Sequence, residues 1–190
     1  INFDRQITSE KTLYSALDWV IQNKTKFNIQ AVSMSQGYHE TATNTDYCPK
    51  TPTTESKIKA LTDLQVPVFF PTGNGRDYQR IDWPSCIPSS ISVGAATKNG
   101  IELYSNYDKS LTDFHANSRS TVYIPGGQTV NATGTSISTQ IAAADWIAIK
   151  YAKPTLTYSQ IYDLLIRTSR SVSGQQGSAK LIQLGAALNG

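Results

Sequence analysis

The stretch VPVFFPTGNG, residues 66–75, decides the fold class. Val66, Val68, Phe69 and Phe70 form a short, nearly continuous apolar run that a glycine pair brings to an end. A strand with one wet face would alternate apolar and polar residues. A run with no polar side is the pattern of a parallel strand covered on both faces.

Outward from this run, helical and strand signals alternate. Ile58, Leu61 and Leu64 precede it at helical spacing. Earlier still, Leu13, Leu17, Val20 and Ile21 line one face of a helix for which Thr8 or Ser9 is the expected cap, and NIQAVSMSQG (28–37) reads as a strand ending at Gly37. After the run, SISVGAA (90–96) repeats the short buried pattern and STVYIPGG (120–127) is a weaker version of it. From Thr135 the residues Ile137, Ile141, Ala144 and Ile147 return to helical spacing, which Pro154 closes; Ile161, Leu164 and Leu165 mark one more helix. Helices alternating with buried strands predict an α/β domain with a mostly parallel sheet. With 190 residues and no repeat or linker, the expectation is one domain over residues 1–190.

Composition narrows the function. The net charge of +3 comes from basic and acidic residues scattered along the chain, with no run that could track a phosphate backbone, so no nucleic-acid partner is expected. No apolar stretch reaches the roughly 18 residues that cross a bilayer, and INFDRQ at the N-terminus does not read as a signal peptide. Cys48 and Cys86 are the only cysteines, too few for a metal cage. Their spacing leaves two free thiols and one disulfide both open. A disulfide would add roughly 4 kcal/mol by loop closure and imply an oxidising compartment.

In open parallel sheets, ligands bind outside the carboxyl ends of the strands. Three loops qualify: SMSQGYH (33–39), PTGNGRD (71–77) and the turn into the helix at Ser136. Singly, each is bland. Ser136 at a helix start reads as a cap, and Asn74 between two glycines reads as turn chemistry. PTGNGRD matches neither the phosphate-loop nor the dinucleotide fingerprint. In combination, a serine hydroxyl at a positive helix end facing an asparagine amide supplies a nucleophile and a donor for the oxyanion formed on its attack.

Four ordered blocks then resemble the subtilisin-like serine peptidases: ALDWVIQNKTKFNIQAVSMSQG, VPVFFPTGNG, WPSCIPSSISVGA and GTSIS. The resemblance implies a subtilisin-like three-layer domain and hydrolysis of peptide bonds through an acyl-enzyme on Ser136, with Asn74 as oxyanion donor. It implies that Ser35, Gln36 and Gly37 present a backbone edge to an extended peptide, and that Pro71, Thr72 and Gly73 wall the pocket for the side chain before the scissile bond. It also implies a Cys48–Cys86 disulfide, a secreted or cell-surface location, and a peptide or protein substrate.

The family's triad Asp and His belong upstream of Ile1, so the resemblance implies a domain lacking its first strands. The missing segment is then a candidate partner as a second chain, and this chain by itself is expected to be inactive. His39 and His115 occur outside any matching context and read as solvated loop residues. Gln140 and Ile141 stand where the family has Pro and His, and Ser138 where alanine is common. The alternative is a catalytically silent domain that holds a peptide in the same groove. No cofactor is expected. Relatives often bind calcium, but Asp46, Asp77 and Asp82 show no ligand spacing and read as solvated loop carboxylates.

Overall fold

The computed structural model describes residues 10–38, 48 and 50–190. In chain order the elements are α1 (Glu10–Asn23), β1 (Val32–Ser33), α2 (Pro52–Asp63), β2 (Val68–Pro71), β3 (Ile91–Thr97), β4 (Gly100–Ile101) and β5 (Phe114–Asn117). There follow β6 (Arg119–Tyr123), β7 (Thr129–Thr133), α3 (Thr135–Ala152), α4 (Tyr158–Thr168), β8 (Arg170–Gly174), β9 (Gly177–Leu181) and α5 (Leu184–Asn189). The expected caps Thr8 and Ser9 lie outside the described residues.

The main sheet runs β1-β2-β3-β5-β9-β8, with β4 paired to β3. The pairs β1/β2, β2/β3, β3/β5 and β5/β9 are parallel, whereas β3/β4 and β8/β9 are antiparallel. This is the α/β architecture with a mostly parallel sheet that the apolar run predicts.

Strand β2 shows why that run has no polar side. Successive side chains point to opposite faces. Phe69 enters one core with Trp146, Ile149, Ile161 and Leu165, while Val68 and Phe70 enter a second with Leu13, Leu17, Ile58 and Leu61. Helices therefore cover both faces, α3 and α4 on one and α1 and α2 on the other. Each fully buried large side chain contributes roughly 1.5–3 kcal/mol.

Three sequence expectations are corrected. The strand read over 28–37 is ladder-paired only at Val32–Ser33. STVYIPGG is no buried parallel strand: β6 pairs antiparallel with β7 in a separate two-stranded ribbon, with alternate residues exposed. The buried face of α3 is also not the stripe read from its isoleucines. Ser138, Thr139, Ala142, Ala143, Trp146 and Ile149 face the sheet, while Ile147 is exposed. Small residues let this central helix approach the strands closely, and Trp146 fills the space beyond them, edge-on to Phe69.

A disulfide joins Cys48 to Cys86, with Cα atoms 6.0 Å apart. It ties the segment before α2 to the loop before β3, against the α1/α2 core.

Candidate active site

The loops after β1 and β2 and the start of α3 meet at one end of the sheet, at the carboxyl ends of its parallel strands. Gly134 is the N-cap of α3, with φ +138° and no side-chain cap. Ser136 is therefore the second helical residue and not the cap its position suggested. Its Oγ donates to the carbonyl of Ser35 at 3.2 Å, and Ser35 Oγ donates back to the carbonyl of Ser136 at 2.9 Å. Gln140, one turn along α3, donates from Nε2 to Ser35 Oγ at 2.5 Å. This reciprocal pairing clamps segment 35–37 to the helix start.

Asn74 does what a capping side chain would do, from a neighbouring loop. Its Oδ1 accepts from the backbone N–H of Thr135 at 3.0 Å and from Thr135 Oγ1 at 3.1 Å. A helix start has amides with no partner of their own, and Asn74 satisfies the first. With the oxygen committed to two donors, the amide NH2 turns the other way. A methyl placed on Gly134 would lie 3.8 Å from Asn74 Nδ2 and 3.8 Å from the backbone nitrogen of Ser136, so both donors border one small space. Neither makes a hydrogen bond among the described residues. Both sit at the positive end of an 18-residue helix.

Beneath the Asn74 loop, Asn106 is fully buried and accepts at Oδ1 from the amides of Gly75 (2.8 Å) and Asp77 (3.0 Å). Its backbone N–H donates to Gly73 O at 2.9 Å, and Thr72 N–H donates to Val93 O at 3.0 Å. Pro71, Thr72 and Gly73 are all buried and continue directly from β2 into this loop. Ser35 and Gly37 are exposed and Gln36 is half-buried. The structure thus brings together Ser136, Asn74 and Ser35, with the buried segment 71–73 leading into the Asn74 loop.

The histidines do not join them. His39 lies outside the described residues. His115 is not a solvated loop residue but part of β5, 1% exposed, and its ring packs against Gly94 and Tyr107. Neither ring nitrogen has a hydrogen-bond partner among the described residues, and burial lowers its pKa to about 4. Among the described residues no imidazole touches Ser136.

The loop carboxylates are corrected too. Asp82 is 9% exposed, and Asp77 is largely covered and paired with Arg80 at 2.7 Å. Asp46 lies outside the described residues. Among the described residues no cluster of three His, Cys, Asp or Glu side chains could hold a metal ion.

The model of the subtilase family of peptidases (S8) matches residues 2–185. The chain belongs to the subtilase family. Among solved structures it is similar to the self-cleaved protease domain of PatA, with a TM-score of 0.78 at 17% identity over 100% of this chain and 70% of that one. It is also similar to the prenylagaramide maturation protease PagA (TM-score 0.76, 16% identity, 93% of this chain and 67% of that one). Sphericase gives 0.69 at 18% identity, over 83% of this chain and 54% of that one. At these identities the likeness concerns the fold. This subtilase chain thus spans 54% to 70% of the length of these three structures. A search of curated proteins finds no match.

Sequence reasoning missed three members of the site. Thr135 anchors Asn74, Gln140 holds Ser35, and Asn106 supports the loop from below. For Gln140 a signal existed, because a residue four after Ser136 shares its helix face. For Asn106, in YSNYD, the sequence offers none.

Proposed function

We propose that this chain carries the nucleophile half of a serine endopeptidase that cleaves peptide bonds through an acyl-enzyme on Ser136. The observation that carries the reading is the anchoring of Asn74 on Thr135, the residue before Ser136. It aims an amide donor at the space beside the serine, where charge would develop on an attacked carbonyl. In this reading Ser35, Gln36 and Gly37 pair with an extended peptide by strand addition, and Pro71, Thr72 and Gly73 wall the pocket for the side chain before the scissile bond.

The base and its orienting carboxylate come from sequence outside these 190 residues, in keeping with the share of its structural relatives that the chain spans. Without that base the Ser136 hydroxyl rests on the Ser35 carbonyl, and this chain by itself is a feeble catalyst at most. The Cys48–Cys86 disulfide supports a secreted or cell-surface location.

One observation favours a silent, peptide-holding groove: Gln140, which with Ile141 stands where the family has Pro and His, is tied to Ser35 in the clamp on Ser136. A fluorophosphonate probe decides between the readings. The full-length protein should label at Ser136 and the Ser136→Ala variant should not. Equal absence of label from both would defeat the peptidase reading and leave the silent groove.

A further inference from the structure

We propose that Tyr104 is a positioning residue. Its backbone holds the Asn74 loop, its hydroxyl holds the strand that leads into α3, and together they fix the Asn74 amide relative to Ser136. The effect on rate rests on the reading of Asn74 as oxyanion donor, whereas the ordering of Asn74 rests on geometry alone.

Segment 102–106, between β4 and β5, reaches the site in two directions. Toward the Asn74 loop, Tyr104 O accepts from Arg76 N–H at 3.1 Å, while Asn106 Oδ1 accepts from the amides of Gly75 and Asp77. Three successive loop amides are thus bound to one segment. Arg76 depends on this most, because its φ of +60° is a backbone conformation that a non-glycine residue keeps only where its surroundings hold it.

Toward the β6/β7 ribbon, the Tyr104 hydroxyl and Thr133 Oγ1 share a hydrogen bond at 2.9 Å, and Glu102 Oε1 accepts from Arg119 Nη2 at 3.0 Å. Arg119 and Thr133 face each other across the ladder. The segment therefore grips both strands at one rung. Thr133 directly precedes Gly134, the N-cap of α3, so that rung is the root of the helix carrying Ser136. A two-stranded ribbon is marginal by itself, and such ties decide how well its root is placed. Within 102–106, Tyr104 alone bonds both the 75–77 amides and the ribbon.

Among the described residues, Asn74 bonds α3 only at Thr135. One attachment point sets the roll of the amide but leaves the loop able to swing about it. Tyr104 adds a second attachment at Thr133, two residues earlier, and two attachments define an orientation. The hydroxyl is the part that matters: phenylalanine would keep the ring and the backbone bond to Arg76 and release Thr133.

The test uses the full-length protein and two substitutions that remove the bond from either end, Tyr104→Phe and Thr133→Val. Both keep the shape of the side chain. The first readout needs no catalysis: the NMR order parameter of the Asn74 side-chain NH2 should fall in each variant, and no further when the two are combined. The second is fluorophosphonate labelling at Ser136, with probe affinity and maximal labelling rate measured separately. The maximal rate should drop about three- to tenfold, the size of one neutral hydrogen bond, at unchanged affinity. In an Asn74→Ala background Tyr104→Phe should add nothing, because it acts through Asn74.

An unchanged order parameter in either variant, an unchanged maximal rate, or the same loss repeated in Asn74→Ala would each overturn the inference. A side chain that only fills space would alter stability and leave these readouts alone. If Tyr104→Phe fails to fold, Thr133→Val, at an exposed position, decides. A falling order parameter in a protein that takes no label sinks the peptidase reading and spares this inference. Labelling that is equally fast in the wild type and both variants does the reverse.

Discussion

Lowering the pH from 7 to 4.5, in the wild-type protein and in a His115→Met variant, isolates the contribution of one buried imidazole. Burial lowers the pKa of His115 from 6.5 to about 4. The unfolded chain therefore takes up the proton near pH 6.5, while the folded chain resists until about pH 4. The stability tied to the neutral ring is present above pH 6.5 and is lost as pH falls toward 4. The gap between the two pKa values corresponds to about 3 kcal/mol, most of it gone by pH 4.5.

The wild-type curve alone would mislead, because Asp145 acts in the opposite sense. Burial raises its pKa from 3.8 to about 6, so its contribution is present at acid pH and lost as pH rises through 6. Taking the difference between wild type and His115→Met removes Asp145 from the comparison. Methionine is unbranched and adapts to the space against Gly94. It also removes two ring nitrogens that lack partners among the described residues, so the variant should be no less stable at pH 7. Urea unfolding at the two pH values should show the variant's advantage growing by about 2–3 kcal/mol on acidification. An advantage that stays constant, or an NMR titration of His115 near pH 6.5, would refute the reasoning.

Reduction of Cys48–Cys86, which closes a separation of 38 residues, should cost about 4 kcal/mol, read as a lower urea midpoint in reductant; an unchanged midpoint would count against it. Gly73→Ala should destabilise the protein by about 1–3 kcal/mol through its positive φ and the Asp82 contact, and slow probe labelling at Ser136; wild-type melting and labelling would contradict the packing described. Asn74→Ala should lose about 1 kcal/mol of helix capping and slow the reaction about 10²–10³-fold, the range for removing an oxyanion donor from a subtilisin. Asn74→Asp should keep the cap and still lose the rate, so equal loss of stability in both variants would show that Asn74 does not cap α3.

The layered architecture was legible because β2 has no polar side, and because helices at regular spacing flank it. What misled was chemistry that depends on neighbours. In α3 Ile137, Ile141 and Ile147 look like the core face, yet the helix crosses the middle of the sheet on small side chains, with Ser138, Thr139, Ala142 and Ala143 buried alongside Trp146 and Ile149. Strand β5, FHAN, is too short and too polar to announce itself, so His115 reads as a loop residue until its pairing with β3 is seen. Asp82 misreads for the same reason. An aspartate near a proline reads as a wet turn, and only the approach of Gly37 and Gly73 from two other segments encloses it.

Asn74 is the clearest case of a residue that the sequence singles out and whose anchoring it does not show. Sequence places it between two glycines, where a turn explains it fully. The fold adds one fact that no spacing contains: the amide oxygen is spent on Thr135, at the start of a helix 61 positions later. A single contact then does two things. It supplies the acceptor that the first amide of α3 needs, and by fixing the oxygen it fixes the opposite direction for the NH2. The cap on α3 and the orientation of the donor thus come from the same hydrogen bonds, so a structural need of the helix suffices to keep the donor aimed at the space beside Ser136.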